Sequence, residues 1–326
     1  MKKERWLAVV FAAVACGCCA CGKTDEKWKI YTPDGAPALA LAYAMSEEDE
    51  NAEYRVVDAA TIGAFVSGAA PVADACVLPV NLAAKLLGNG DVYQTVGVVT
   101  HGNLYLLATE DTQYTRENLS SLVGKTVGVV QLANVPGLTV KIVLNELEIP
   151  WQQLTDGAEI ASDKVNLKAI TPAEVLPNTE GVDVFVAPSP AADMKAENTA
   201  LDFVGSLQAL YGGEDGYPQA VLVVKRSVLE SDRAFVDGLL EKIEAGSAWL
   251  KSAEKSAIAG AVAKNLADGL TPTLTAQNLT DGAIEHSSVR LVRAQAAKAG
   301  VKAFLEKMKR VAADAAIPKE EFFAAV

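Results

Sequence analysis

Short apolar runs alternate along this chain with segments of helical period, and most runs end in a loop of small residues. Residues 28–32, 54–57, 75–78, 93–99 and 104–109 read as strands, with helices expected over 37–45 and 82–87. Apolar runs this short, bounded by Gly, Pro and Asn, fit buried strands better than helices. A second cycle opens with a Val-rich strand at 125–130, a helix at 136–147, and strands at 165–170 and 182–187. In that helix Val140, Val143, Leu144 and Leu147 keep the i, i+3, i+4, i+7 spacing of one buried face. A last strand covers 220–224, and from Asp232 onward the pattern reads as almost wholly helical, with long helices at 232–251 and 289–312.

Such alternation predicts parallel sheets covered by helices, hence the α/β class. At 326 residues the chain exceeds the roughly 250–300 that one core supports, so two lobes are expected, with a helical C-terminal extension. Residues 28–99 with 219–326 are assigned to the first lobe and 100–218 to the second. The crossings, 100–103 and 213–218, contain Gly102, Gly213 and Gly216, which can absorb a hinge rotation.

Composition excludes several functions. The chain is 50% hydrophobic and 21% charged, which is folded-protein composition. Its net charge of -12 repels nucleic-acid phosphates and anionic lipid headgroups, so no nucleic-acid partner is expected. His101 and His286 are the only histidines, which excludes a zinc site built on several imidazoles; neither a metal nor a cofactor is expected.

Cys16, Cys18, Cys19 and Cys21 crowd behind Lys2, Lys3, Arg5 and an apolar run of about ten residues. A positive start, a short apolar stretch and small residues describe an export signal too short to span a bilayer of roughly 30 Å. Small residues immediately before a cysteine further resemble a bacterial lipoprotein signal. Residues 1–22 are therefore assigned as signal peptide and anchor region, with lipid on Cys16, Cys18 or Cys21. Cys76, alone in the remaining chain, sits in an apolar strand and reads as a core residue.

Catalytic signatures are absent. No G-x-S-x-G, H-E-x-x-H or C-x-x-C pattern occurs beyond the leader. Gly124-Lys125-Thr126 mimics the end of a phosphate-binding loop, but Leu119 stands where its first glycine belongs, and the Lys-Thr pair opens a strand. Gly88-Asn89-Gly90 has Tyr93 in place of the third glycine of a dinucleotide fingerprint. His286 reads as a solvated or core-edge histidine. No catalytic residue is assigned.

What remains is a set of loops following strands: Asp34-Gly35-Ala36-Pro37, Pro79-Val80-Asn81, Ala133-Asn134-Val135-Pro136-Gly137 and Pro188-Ser189-Pro190. In open parallel sheets ligands bind beyond the strand C-termini, against helix starts whose unpaired N–H groups favour polar or anionic groups. The cleft is accordingly expected to be lined by Asp34, Gly35, Ala36, Pro37, Asn81, His101, Gly102, Asn103, Asn134, Val135, Pro136, Gly137 and Ser189. His101, at the crossing, is the preferred side chain for direct contact with ligand.

Residues 31–40, Tyr-Thr-Pro-Asp-Gly-Ala-Pro-Ala-Leu-Ala, resemble the first strand-to-helix turn of bacterial solute-binding lipoproteins of the nitrate/sulfonate/taurine and thiamine-pyrimidine type. Leu78-Pro79-Val80-Asn81-Leu82, Gly102-Asn103-Leu104-Tyr105-Leu106 and Leu122-Val123-Gly124-Lys125-Thr126-Val127-Gly128 are similar to that family's next loop, crossing strand and second-lobe opening. Tyr217-Pro218-Gln219-Ala220 and Pro318-Lys319-Glu320-Glu321-Phe322 resemble its return strand and closing segment. The resemblance runs in order through the chain and implies a two-lobed type II periplasmic-binding-protein fold. It further implies an extracytoplasmic, lipid-anchored monomer that delivers a small solute to the transmembrane subunits of an ABC permease. Val80 departs from the hydroxyl residue, and Ser189 from the Glu, usual at these places. The solute expected is a small polar or anionic organic molecule; the alternative is an enzyme on the same fold, of the pyrimidine-synthesis or chorismate-dehydratase kind.

Overall fold

A computed structural model describes residues 27–326 except 156 and 213–215. The assigned leader with Cys16, Cys18 and Cys21 lies outside the described residues, as does Gly213 of the second crossing.

The chain begins with β1 (Trp28–Pro33), α1 (Ala36–Ser46), β2 (Ala52–Val57), β3 (Ala75–Pro79), α2 (Val80–Leu87) and β4 (Tyr93–His101). It continues with β5 (Leu104–Ala108), β6 (Thr126–Val130), α3 (Val135–Glu146), β7 (Trp151–Gln153) and β8 (Val165–Ile170). Next come β9 (Val184–Pro188), α4 (Ala191–Asn198), β10 (Asp202–Ser206), α5 (Leu207–Tyr211) and β11 (Pro218–Lys225). The last third holds α6 (Arg226–Ser231), α7 (Arg233–Ser252), α8 (Lys255–Ala263), α9 (Asp281–His286), β12 (Val289–Arg293) and α10 (Ala294–Val311).

Two six-stranded sheets result, in the orders β12-β4-β11-β3-β1-β2 and β10-β5-β9-β6-β8-β7. Each contains a parallel trio, β2-β1-β3 in the first and β8-β6-β9 in the second. An antiparallel strand flanks each trio, β11 beside β3 and β5 beside β9. The two strand–helix cycles of the sequence are thus two copies of one local plan.

Burial explains the composition of the helices. Helix α1 is mostly Ala and Leu and is buried on nearly every side, between its sheet and helices α7 and α8. Its close approach to α7 is possible because Gly246 stands opposite Tyr43 and Ala40. Helix α7 is amphipathic, burying Val236, Leu239, Leu240, Ile243, Gly246 and Leu250. It is capped by the Asp232 carboxylate, which accepts the Phe235 N–H at 3.1 Å. Cys76 is buried in β3, where burial pushes its thiol pKa up and keeps it protonated.

The expectation of one helix over 289–312 is corrected. Residues 289–293 form β12, which pairs antiparallel with β4 and covers its edge; only then does α10 begin. Val289, Leu291 and Val292 suit a strand, and a left-handed Ser288 (φ 48°) separates it from α9. Thr100 and His101, placed in the second lobe by sequence, belong to β4 of the first sheet, and β11 returns at Pro218. The chain passes between the sheets twice, at 102–103 and 212–217. Behind these crossings α10 spans both lobes. Its Phe304 stacks on Tyr217 with ring centroids 5.2 Å apart, and its Lys307 meets Glu146 of α3 at 2.7 Å. Among the described residues no helix is long and apolar enough to cross a membrane.

Candidate functional site: the cleft between the lobes

A cavity of about 660 Å³ lies where the C-terminal ends of the two parallel trios face each other. The first lobe contributes the turn from β1 into α1, Pro79, Asp58-Ala59 and, from far along the chain, residues 270–273. From the second lobe come Val130-Gln131 and Asn134–Pro136, which carry β6 into α3, and residues 188–191 between β9 and α4. Thr100, Asn103 and Gln219 line it at the crossings.

Of the residues expected there, Asp34, Gly35, Ala36, Pro37, Asn103, Asn134, Val135, Pro136 and Ser189 line this cavity. Asn81, His101, Gly102 and Gly137 do not. Strand alternation accounts for His101: Thr100 faces the cavity, so its successor in β4 points to the opposite face. The His101 ring is buried there, and its backbone N–H donates to the Ser288 carbonyl at 3.1 Å. Asn81 falls in the first turn of α2, and Gly102 lies against Gln208 and Tyr217. Gly137 faces away from the cavity, under the Leu132 carbonyl.

Three helices begin at this cavity, α1, α3 and α4, and none has a side-chain cap. Their first-turn N–H groups are free of side-chain oxygens, an arrangement that favours an acceptor or an anion. Of the charged lining residues, Asp34 is already engaged: Oδ1 accepts the Gly35 N–H at 2.8 Å and Oδ2 the Thr273 N–H at 2.7 Å. Asp58 is exposed and accepts the Ala60 N–H at 2.7 Å. Lys195, one turn into α4, lines the cavity and has no carboxylate partner among the described residues. The remaining lining is largely apolar, with Pro33, Pro37, Pro79, Pro136, Pro188 and Pro272 prominent. At the cavity floor the Thr100 hydroxyl and the Asn103 Oδ1 are buried without a hydrogen-bond partner, while the Asn103 amide donates to the Ser189 carbonyl at 2.9 Å.

Ser189 is fixed more firmly than a loop serine usually is. Its hydroxyl donates to the Asp193 carboxylate, whose Oδ1 lies 2.6 Å from Nδ1 of His286. His286 is a half-exposed residue at the core edge, as its sequence context suggests, but a partnered one: its ring packs on Tyr105 and Phe203 at 4.6 and 5.2 Å. The hydrogen bond that its ring N–H donates to Asp193 raises its pKa, with burial opposing. Because the serine proton is directed to the carboxylate and not to an imidazole, this array does not match a nucleophile activated by a histidine. Among the described residues no group of three His, Cys, Asp or Glu converges to hold a metal ion.

No family model matches the chain, and no curated protein matches its sequence. Solved structures do. An ABC transporter of Parabacteroides distasonis superposes with a TM-score of 0.66 at 17% identity, covering 92% of this chain and 99% of that one. The periplasmic aliphatic sulphonate-binding protein of Escherichia coli gives 0.62 at 14% identity, covering 93% and 95%. The chain has their two-lobed fold. The periplasmic nitrate-binding protein of Synechocystis PCC 6803 shares it too, with a TM-score of 0.56 at 10% identity over 89% of this chain and 82% of that one.

The lining residues that sequence reasoning missed include Asp58, Thr100, Gln131, Lys195, Gln219 and the 270–273 loop. Lys195 carried a readable signal, lying one helical turn beyond the Pro190 that opens α4. The 270–273 loop carried none, because only the fold brings it to Asp34, 239 residues earlier.

Proposed function

We propose that this chain is the extracytoplasmic solute-binding protein of an ABC importer, anchored by lipid on Cys16, Cys18 or Cys21. It captures a small polar or anionic organic solute between its lobes and hands it to the permease. The observation that carries this reading is the cavity of about 660 Å³ between two matched lobes, within the usual 300–1,000 Å³ of small-molecule sites. The first lobe is residues 28–101 with 218–326, the second 104–211, and they rotate about the two crossings. Uncapped helix starts and Lys195, without a carboxylate partner among the described residues, favour an acidic group on the solute, and the prolines favour an apolar body. The chain performs no covalent step. Of the two lining carboxylates, Asp34 is held by backbone N–H groups on both oxygens and the exposed Asp58 by one on Oδ1, and neither is paired with a nucleophile.

A thermal-shift screen with sulfonates, carboxylates, nitrate, pyrimidines and amino-acid-like acids tests this. A solute at 100 times its Kd adds roughly 2.7 kcal/mol of stability, enough to move the midpoint. Stabilisation by one class, with lobe closure seen by small-angle scattering, is the expected result. No response to any class overturns it. The anchor is tested separately by the intact mass of membrane-extracted protein; a wholly soluble, unacylated product overturns that part.

A further inference from the structure

One polar chain crosses from lobe to lobe beside the cavity. Ser189 and Asp193 belong to the second lobe, in the turn after β9 and the first turn of α4. They are 1% and 4% exposed. His286 ends α9, in the stretch that feeds β12 of the first sheet. Its ring nevertheless sits on Tyr105 of β5 and Phe203 of β10, both in the second sheet, with Nδ1 2.6 Å from Asp193. A carboxylate so far removed from water depends on its hydrogen-bonding partners. Helix α9 packs on α7 of the first lobe as well as on α4; a parting of the lobes that kept α9 on α7 would leave Asp193 with the Ser189 hydroxyl alone.

We propose that His286 is a positioning residue for solute capture: docked across the cleft, it fixes Asp193 and, through it, the Ser189 hydroxyl in the cavity wall. The wall then acquires its binding geometry only when the lobes meet. This deepens the capture reading and rests on it. The clasp is also sensitive to protons. The charges acting on the ring are Asp193 of α4 and Glu285 of its own helix; Tyr105 from β5 is a neutral phenol whose pKa burial pushes up to about 12, and Phe203 carries none. The imidazolium form favours the closed clasp, which weakens as pH rises through the raised pKa of His286.

The test uses the full chain without solute. Small-angle scattering follows compaction from pH 5.5 to 8.5, and proton NMR titrates the two histidine rings, the His286 signals being those lost in His286→Phe. The wild-type protein is expected to be most compact at low pH, with His286 titrating above the ordinary value of about 6.5. His286→Phe keeps the ring contacts but is expected to be expanded throughout. His286→Gln keeps an N–H donor and is expected to restore compaction without its pH dependence. Asp193→Asn should return the His286 titration toward the ordinary value. Wild-type compaction and pH profile retained in His286→Phe, or an unshifted His286, overturns the proposal. A solute such as butanesulfonate that still stabilises the protein in that event leaves the capture reading standing. A working clasp with no solute bound sinks the capture reading instead.

Discussion

At the start of α1 and the start of α3 the chain makes equivalent turns off equivalent strands, yet a glycine is needed in each for a different reason. Gly35 has a φ of 92° and open space around the position of a Cβ. Its constraint is purely conformational. Gly137 has ordinary helical backbone, but a Cβ there would lie 2.0 Å from the Leu132 carbonyl oxygen. Its constraint is steric. The walls differ in charge as well. Asp34 on the first lobe is tied to backbone N–H groups, whereas Lys195 on the second has no carboxylate partner among the described residues. Repeating a topology repeats where strand ends and helix starts meet, but not what each position must tolerate or can bind.

The largest expected effect tests the glycine pair. Gly137→Val should cost about 3 kcal/mol, because the obstructing atom is backbone and cannot rotate away. Gly35→Ala should cost about 2 kcal/mol, the strain of placing a side chain in a backbone region (φ 92°, ψ -144°) that glycine alone occupies readily. Urea denaturation of both variants measures this, and equal losses would erase the distinction between the two turns.

Next comes His101, which the structure puts behind the cleft. His101→Ala should lower stability by about 2 kcal/mol through the cavity it leaves, with affinity for solute unchanged. Calorimetric unfolding and titration together decide it. A loss of affinity with melting intact would return His101 to the binding surface.

Lys195 sharpens the contrast between the walls. Lys195→Gln should weaken binding of an acidic solute by about 1.5 kcal/mol, roughly tenfold, with Lys195→Arg largely conserving it. Isothermal titration with butanesulfonate, against butanol as the uncharged control, reads the difference. Identical affinity in the Gln variant would mean that the helix starts alone supply the anion site.

The smallest effect concerns the His286–Asp193 pair. The pKa of His286 is raised in the folded chain, so its contribution is complete below the unfolded value of about 6.5 and is lost as pH rises through the raised value. With its side chain 34% exposed, solvent screening limits the gain to under about 1 kcal/mol. Melting profiles of wild type and His286→Phe across that window should converge at high pH. Profiles that stay parallel would leave the pair without a proton-linked role.

Much of the architecture was legible locally. The strand runs, the small-residue loops after them and the two cycles depend on side-chain period and turn chemistry within about ten residues. The loops at Asp34, Asn134 and Ser189 could therefore be placed on the cleft from sequence. Residues 289–293 were misread because five residues leading into a strongly amphipathic helix share its apolar content; what makes them a strand is the free edge of β4. His101 was misjudged for a related reason. Crossing position was readable, but which of Thr100 and His101 faces inward is set by β4 pairing with β11 and β12.

By itself, then, the sequence determined the α/β class, the doubled strand–helix plan and the loops at the strand ends, all consequences of short-range periodicity and backbone stereochemistry. Tertiary structure alone decided which side chains converge there. Thr273 reaches Asp34 across 239 positions, and His286 reaches Asp193 across 93. Contacts at such separations leave no local trace, because they arise from how two packed sheets and their returning C-terminal segment bury apolar surface together, and the polar groups carried along find partners only after that packing is set.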